Sequence, residues 1–167
     1  MNQSSRRGLL AAASAGGLVL AAPATAHAAG PTTRHTARER RNRKVVLDAF
    51  AQQNAGGDFF DVLDDDVVWT IVNGSTYRSR EAFLAQGVAP VQDRLRTNLH
   101  MTVVDLWLDG DTVIVRFQAD ATALDGQPYH NDFCWVLTVD GARVTTGYAF
   151  LDTVALTELI ERVELPG

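Results

Sequence analysis

The sequence predicts an α+β domain, and three observations carry that prediction. Apolar residues at helical spacing come first, four strand-like segments separated by Asp-Gly turns follow, and a short amphipathic segment closes the chain. Helices followed by an antiparallel meander give α+β order. At 167 residues the chain has room for one domain with a real core, and not for two comfortable ones. A hydrophobic share of 46% against 21% charged residues is that of an ordinary soluble globular protein. Cys134 is the single cysteine, so no internal disulfide framework exists.

Residues 1–28 read as an export signal and not as part of the fold. "SSRRGLL" supplies a twin-arginine start, "LLAAASAGGLVLAA" an apolar run shorter than the ~20 residues of a membrane span, and "ATAHA" small residues at a cleavage position. The expectation is an exported, secreted protein using the Tat or Sec route, with no membrane partner in the mature form. Residues 29–36 form a basic leader ahead of a domain at 37–165. Charge sorts along the chain: residues 29–44 carry a net charge of +5, and residues 45–167 carry −12. An acidic body repels phosphate, so no nucleic-acid partner is expected.

Thr36 and Glu39 have capping-box spacing, and Val46, Ala49, Phe50 and Gln53 recur on one helical face, which predicts a helix over 37–54. Gly56-Gly57 breaks it, "DFFDVL" makes a second short helix, and "VVWTIV" reads as a strand. Asp64, Asp65 and Asp66 between them read as a solvated turn. No His or fourth acid stands at ligand spacing beside them, and no zinc or iron set exists elsewhere, so neither a metal nor a cofactor is expected. "SREAFLAQGVAPVQDRL" reads as a helix capped by Ser79 and interrupted or kinked at Pro90. The four strand segments are "LHMTVVDLWLD", "TVIVRFQADATAL", "PYHNDFCWVLTV" and "ARVTTGYAFLD", joined by "DGD", "DGQ" and "DG". Asp152 is placed to cap a final helix whose Val154, Leu156, Leu159, Ile160 and Val163 supply an apolar stripe.

This order of elements, together with "GGDFFDVLDDDVVWTI", "YRSREAFL", "DGQPYHNDFCWVLTVDGARV" and "AFLDT", resembles the SnoaL-like branch of the nuclear transport factor 2-like superfamily, which includes ketosteroid isomerase. The resemblance covers residues 37–163. It implies a strongly curved, mostly antiparallel sheet forming a cone-shaped cavity, wrapped by the N-terminal helices, with a short C-terminal helix. It also implies a homodimer joined through the outer face of the sheet. Relatives include isomerases, dehydratases, epoxide hydrolases, polyketide cyclases and non-catalytic members, so the fold does not fix the activity.

Catalytic residues carry over only where the side chains do. Matching on the "GQP" turn and the "GGD" break, the isomerase's general base falls on Ile71, its oxyanion-hole tyrosine on Phe50 and its protonated aspartate on Trp135. None can exchange a proton in those roles. The epoxide-hydrolase pattern meets Arg116 at its arginine but Gln118 and Ala149 at its carboxylates. Both mechanisms are therefore disfavoured.

The same matching turns Arg116, Gln118, Asp120 and Thr122 toward the cavity, with His100 and Thr102 beside them. Plain amphipathic alternation says the opposite, with Val113, Val115, Phe117, Ala119 and Ala121 as the core face. On the inward reading, His100 or Asp120 is the candidate proton-transfer group and Arg116 the stabiliser of developing negative charge, unless Arg116 and Asp120 simply pair. Trp69, Gln118, Tyr129, Asn131, Phe133 and Trp135 are the candidate ligand-binding residues, with Tyr129 and Asn131 as orienting hydrogen-bonders. His130, Asp132 and Cys134 fall on the outer side of the sheet.

The function expected from the sequence is a pocket for a small, largely apolar molecule. Two alternatives accompany it: a cofactor-free isomerase, dehydratase or cyclase using His100 and Asp120, and a non-catalytic dimeric interaction domain.

Overall fold

The computed structural model describes residues 35–165. Residues 1–28, read above as an export signal, and most of the expected basic leader lie outside them. Helix α1 (Ala37–Asn54) begins with both halves of the predicted capping box: Glu39 N–H donates to Thr36 Oγ1 at 3.1 Å, and Thr36 N–H donates to Glu39 Oε2 at 2.6 Å. Its buried face carries Asn42, Val46, Ala49, Phe50 and Gln53. A 3-10 turn (Phe59–Val62), capped by Asp58, inserts Phe59 and Phe60 into the core.

Strand β1 (Leu63–Ile71) starts four residues earlier than the sequence suggests, so Asp64, Asp65 and Asp66 belong to a strand and not to a turn. The register with its neighbour shifts between Leu63 and Val68, and the aspartates occupy that irregular stretch. After an Asn73 turn and the two-residue β2 (Thr76–Tyr77), the predicted long helix is broken into α2 (Arg80–Phe83), a π turn (Leu84–Val88) and α3 (Ala89–Gln92). Ser79 caps it as expected. Pro90 supplies the physical reason for the break, because it has no N–H to return to the Gln86 carbonyl. The Tyr77 hydroxyl reaches that carbonyl instead, at 3.4 Å.

Strands β3 (His100–Asp109), β4 (Thr112–Thr122), β5 (Pro128–Asp140) and β6 (Arg143–Leu151) form the meander. Gly110 at φ 59° and Gly141 at φ 58° make two of its turns, a conformation that residues with a Cβ adopt reluctantly. The six-stranded sheet has the order β2-β1-β6-β5-β4-β3; only the β1–β6 pair is parallel. It is curved and does not close. Helix α4 (Thr153–Arg162) follows Asp152, whose carboxylate accepts from Val154 and Ala155 N–H. Its buried stripe is narrower than expected: Leu159 and Val163 are buried, whereas Val154 and Ile160 face outward.

Candidate functional site

Alternation along β4 decides which face of the sheet is which. Val113, Val115, Phe117 and Ala119 are each 0% exposed, and α1 packs over them. Arg116 and Asp120 point the other way, with side chains 47% and 60% exposed. The inward placement of Arg116, Gln118, Asp120, Thr122, His100 and Thr102 is thus corrected: all six belong to the outer face. The physical reason is the twofold period of a strand, by which an alignment slip of one residue moves the entire set across the sheet.

Arg116 does not pair with Asp120 either. Its Nε and Nη2 reach Asp105 Oδ2 at 2.9 and 2.8 Å, while Asp120 Oδ1 takes His130 Nδ1 at 2.7 Å. Asp132 stands 3.5 Å from the other ring nitrogen. The hydrogen bond to Asp120 raises the His130 pKa above the ordinary histidine value, and Asp132 adds to that effect. Counting outward from the five-residue loop 123–127 sets Thr122 against Pro128, and hence Asp120 against His130; the Asp-Gly-Gln turn signal alone would have set Leu124 against Pro128 and missed the pair.

On the inner face an aromatic cluster surrounds a cavity of about 90 Å³. Trp69, Trp135 and Ala149 supply its sheet wall, Phe60, Phe83 and Val88 its helical wall. Leu99, Met101, Leu151 and Leu156 line it toward α4, where Tyr129 also stands. Trp69 stacks on Phe83 at 4.7 Å and meets Trp135 edge-on at 5.1 Å. The indole of Trp69 lies flat on Gly147, and a Cβ there would come within 2.3 Å of the ring. Gly147 is therefore what allows Trp69 to reach the cavity.

Of the candidate ligand-binding residues, Trp69, Tyr129, Phe133 and Trp135 border this space. Gln118 does not, being on the opposite face. Asn131 is 1% exposed and spends its amide elsewhere: Oδ1 accepts from Asp152 N–H at 3.0 Å, and Nδ2 donates to the Asp152 carbonyl at 2.9 Å and to the Tyr129 hydroxyl at 3.0 Å. Ile71 and Ala149 line the cavity, and Phe50 packs edge-on against Phe59 and Phe117 behind it. These are the positions onto which the sequence matching placed the proton-handling groups of the family's enzymes, and the side chains found there are apolar.

No carboxylate, imidazole or guanidinium borders the cavity among the described residues. Its polar groups are few. The Gln53 amide is engaged by Phe59 N–H and the Leu99 carbonyl at 3.0 and 3.1 Å. Trp135 Nε1–H is buried without an acceptor; the ring is crossed edge-on by Phe59, Phe117 and Trp69, surroundings in which π faces can hold an N–H weakly. Burial raises the pKa of Tyr129, and the nearby Asp152 carboxylate raises it further, so its hydroxyl keeps its proton. No group of three or more metal-ligating side chains occurs among the described residues.

Sequence reasoning missed the walls contributed by Phe60, Phe83, Leu99, Met101 and Leu156. Each is a plain apolar residue, and only the way the helices fold over the sheet separates a cavity wall from a core contact.

Residues 43–146 match the SnoaL-like domain family. The sequence has no match among curated proteins. Among solved structures, a protein named for the SnoaL-like polyketide cyclases from Jannaschia sp. CCS1 is 16% identical, with 78% of this chain and 99% of that one covered at a TM-score of 0.64. TerC, crystallised with polyporic acid, is 23% identical over 72% and 98% of the two chains, with a TM-score of 0.61. An NTF2-like protein of unknown function from Burkholderia pseudomallei K96243 is 19% identical over 72% and 97%, again at 0.61. At these identities the likeness is one of fold, and it agrees with the six-stranded curved sheet under helices. With more than half of its length matched by the family, the chain belongs to the SnoaL-like domain family.

Proposed function

We propose that the domain takes up a small, largely apolar ring compound in the inner cavity. One observation carries this reading. The aromatic cluster leaves about 90 Å³ unfilled, several times the ~10–15 Å³ that one water needs, and walls that space almost entirely with carbon. The neighbour named for polyketide cyclisation and the one crystallised with polyporic acid support a ring-bearing guest. Proton transfer by His100 and Asp120 is not part of this reading, because both stand on the opposite face of the sheet from the cavity. Export of the domain, suggested by residues 1–28, would place its guest outside the cytoplasm.

Trp69 and Trp135 border the cavity whereas Trp107 is exposed, so a Trp107→Phe variant reports the cavity by intrinsic fluorescence. Titration with benzene, phenol and cyclohexanone should give a saturable change in emission and a rise in melting temperature. An Ala149→Phe variant, which fills the space, should lose both. If no compound gives saturation, or the filled variant responds as the parent does, the reading is wrong.

A second copy of the chain is the proposed occupant of the outer face. The register sets Trp107, Ile114, Val136 and Tyr148 in one apolar row straight across four strands, with Trp107 51% and Tyr148 48% exposed. A continuous row of this kind suits a twofold, self-complementary contact. Sedimentation velocity should show a dimer that Trp107→Lys converts to a monomer; a monomeric parent would end the proposal.

A further inference from the structure

The polar chemistry at the α4 end of the cavity points one way. The Asn131 side chain is clamped by two opposite bonds to one residue, accepting from Asp152 N–H and donating to the Asp152 carbonyl. Turning the amide over would set NH₂ against N–H and C=O against C=O, so its orientation is determined by the backbone. Nδ2 must then be the donor to the Tyr129 hydroxyl, at 3.0 Å. A phenolic oxygen that accepts from an N–H directs its own hydrogen elsewhere, and among the described residues no acceptor receives it. Tyr129 is 4% exposed and borders the cavity, whose other lining residues are apolar apart from Gln53 and Gln92.

From this arrangement we propose that Tyr129 is the specificity-determining donor of the cavity, and that the guest is a ring compound with a carbonyl oxygen directed at the Tyr129 hydroxyl. This rests on the cavity reading above and sharpens it. A hydrocarbon would leave the hydroxyl hydrogen unpaired, and a cation would find no counter-charge in the lining. An acceptor oxygen on an otherwise apolar ring satisfies the hydroxyl and leaves the aromatic walls to the rest of the guest. Asn131 acts here as a positioning residue, fixing which way the phenol can donate.

The test compares cyclohexanone with methylenecyclohexane, which has nearly the same shape but no acceptor. In the full chain carrying Trp107→Phe, the ketone should bind roughly five- to tenfold tighter, the gain expected of one net hydrogen bond. Adding Tyr129→Phe should abolish that preference while leaving the hydrocarbon's affinity unchanged, which also shows that the variant is folded. Equal binding of the two compounds by the parent, or a preference that survives Tyr129→Phe, overturns the donor role and leaves the cavity reading intact. Binding of neither compound overturns both.

Discussion

The two faces of strands β4 and β5 are built from interleaved residues of the same segments, yet they do different physical work. On the inner face Phe117 stacks on Phe133 at 4.8 Å and meets Trp135 at 4.6 Å, and the side chains of β4 are fully covered. On the outer face the register lines up His100, Asp120 and His130 in one row, and Asp105 and Arg116 in another, all with access to solvent. Inner-face contacts derive from apolar area removed from water and from close packing. Outer-face contacts are ion pairs in high dielectric, each contributing at most about 1 kcal/mol. The difference teaches that the charged groups of these strands mark the surface, and that the candidate ligand space is uncharged.

The comparison can be broken most severely at Gly147. A Cβ there would lie 2.3 Å from the Trp69 indole, so Gly147→Ala should expel a ring that is 1% exposed. We expect a loss of about 3 kcal/mol or more, on the scale of large core truncations, read as the midpoint of urea unfolding. A stability change below about 1 kcal/mol would mean that the inner face yields, and that the contrast with the outer face is weaker than its packing suggests.

Much of this fold was legible because its signals are local. Thr36 with Glu39, Ser79, Asp152 and the Asp-Gly turns each act within a few residues, and they placed α1, the start of α2, the meander and α4. The breaking of the α2–α3 stretch was half legible: Pro90 announced an interruption, but the π turn depends on Tyr77 standing where it can take up the Gln86 carbonyl. The site was less legible. Aromatic residues on the odd positions of β5 were correctly assigned inward, because Tyr129, Phe133 and Trp135 leave little else for a core to use. The even positions of β4 were assigned inward by family matching, against their own alternation with Val113, Val115 and Phe117. Residue chemistry was the better guide there, since correspondence at low identity is uncertain by a residue and a strand's face changes with every residue.

Asn131 offers a finer test, because it is an inner-face polar residue explained by its partners and not by exposure. Asn131→Leu keeps the branching and the number of side-chain heavy atoms and removes the clamp on Asp152. The Asp152 carbonyl then loses its Nδ2 donor, while its N–H retains only the longer contact to the Asp132 carbonyl at 3.3 Å. A stability loss of about 1–3 kcal/mol is expected, together with faster amide exchange at the start of α4. An unchanged exchange pattern would show that the Asn131 clamp does not hold the start of α4.

The smallest effect belongs to the outer face and concerns pH. His130 has its folded-state pKa raised, chiefly by the hydrogen bond to Asp120, so the protonated ring favours the folded state. Its contribution is fully present below the unfolded histidine value of about 6.5 and is lost as pH rises through the folded-state value. Because the ring is half exposed, solvent screening holds the effect below about 1 kcal/mol. Urea midpoints measured from pH 5.5 to 8.5 should fall slightly with rising pH in the parent and less in Asp120→Asn, with salt reducing the difference between the two proteins. A slope that Asp120→Asn leaves untouched would assign the pH dependence to another group. A slope well above 1 kcal/mol that resists salt would mean that Asp120 and His130 are shielded from water in solution, as they would be if a second copy covered the outer face, and the two faces would then differ in partner more than in chemistry.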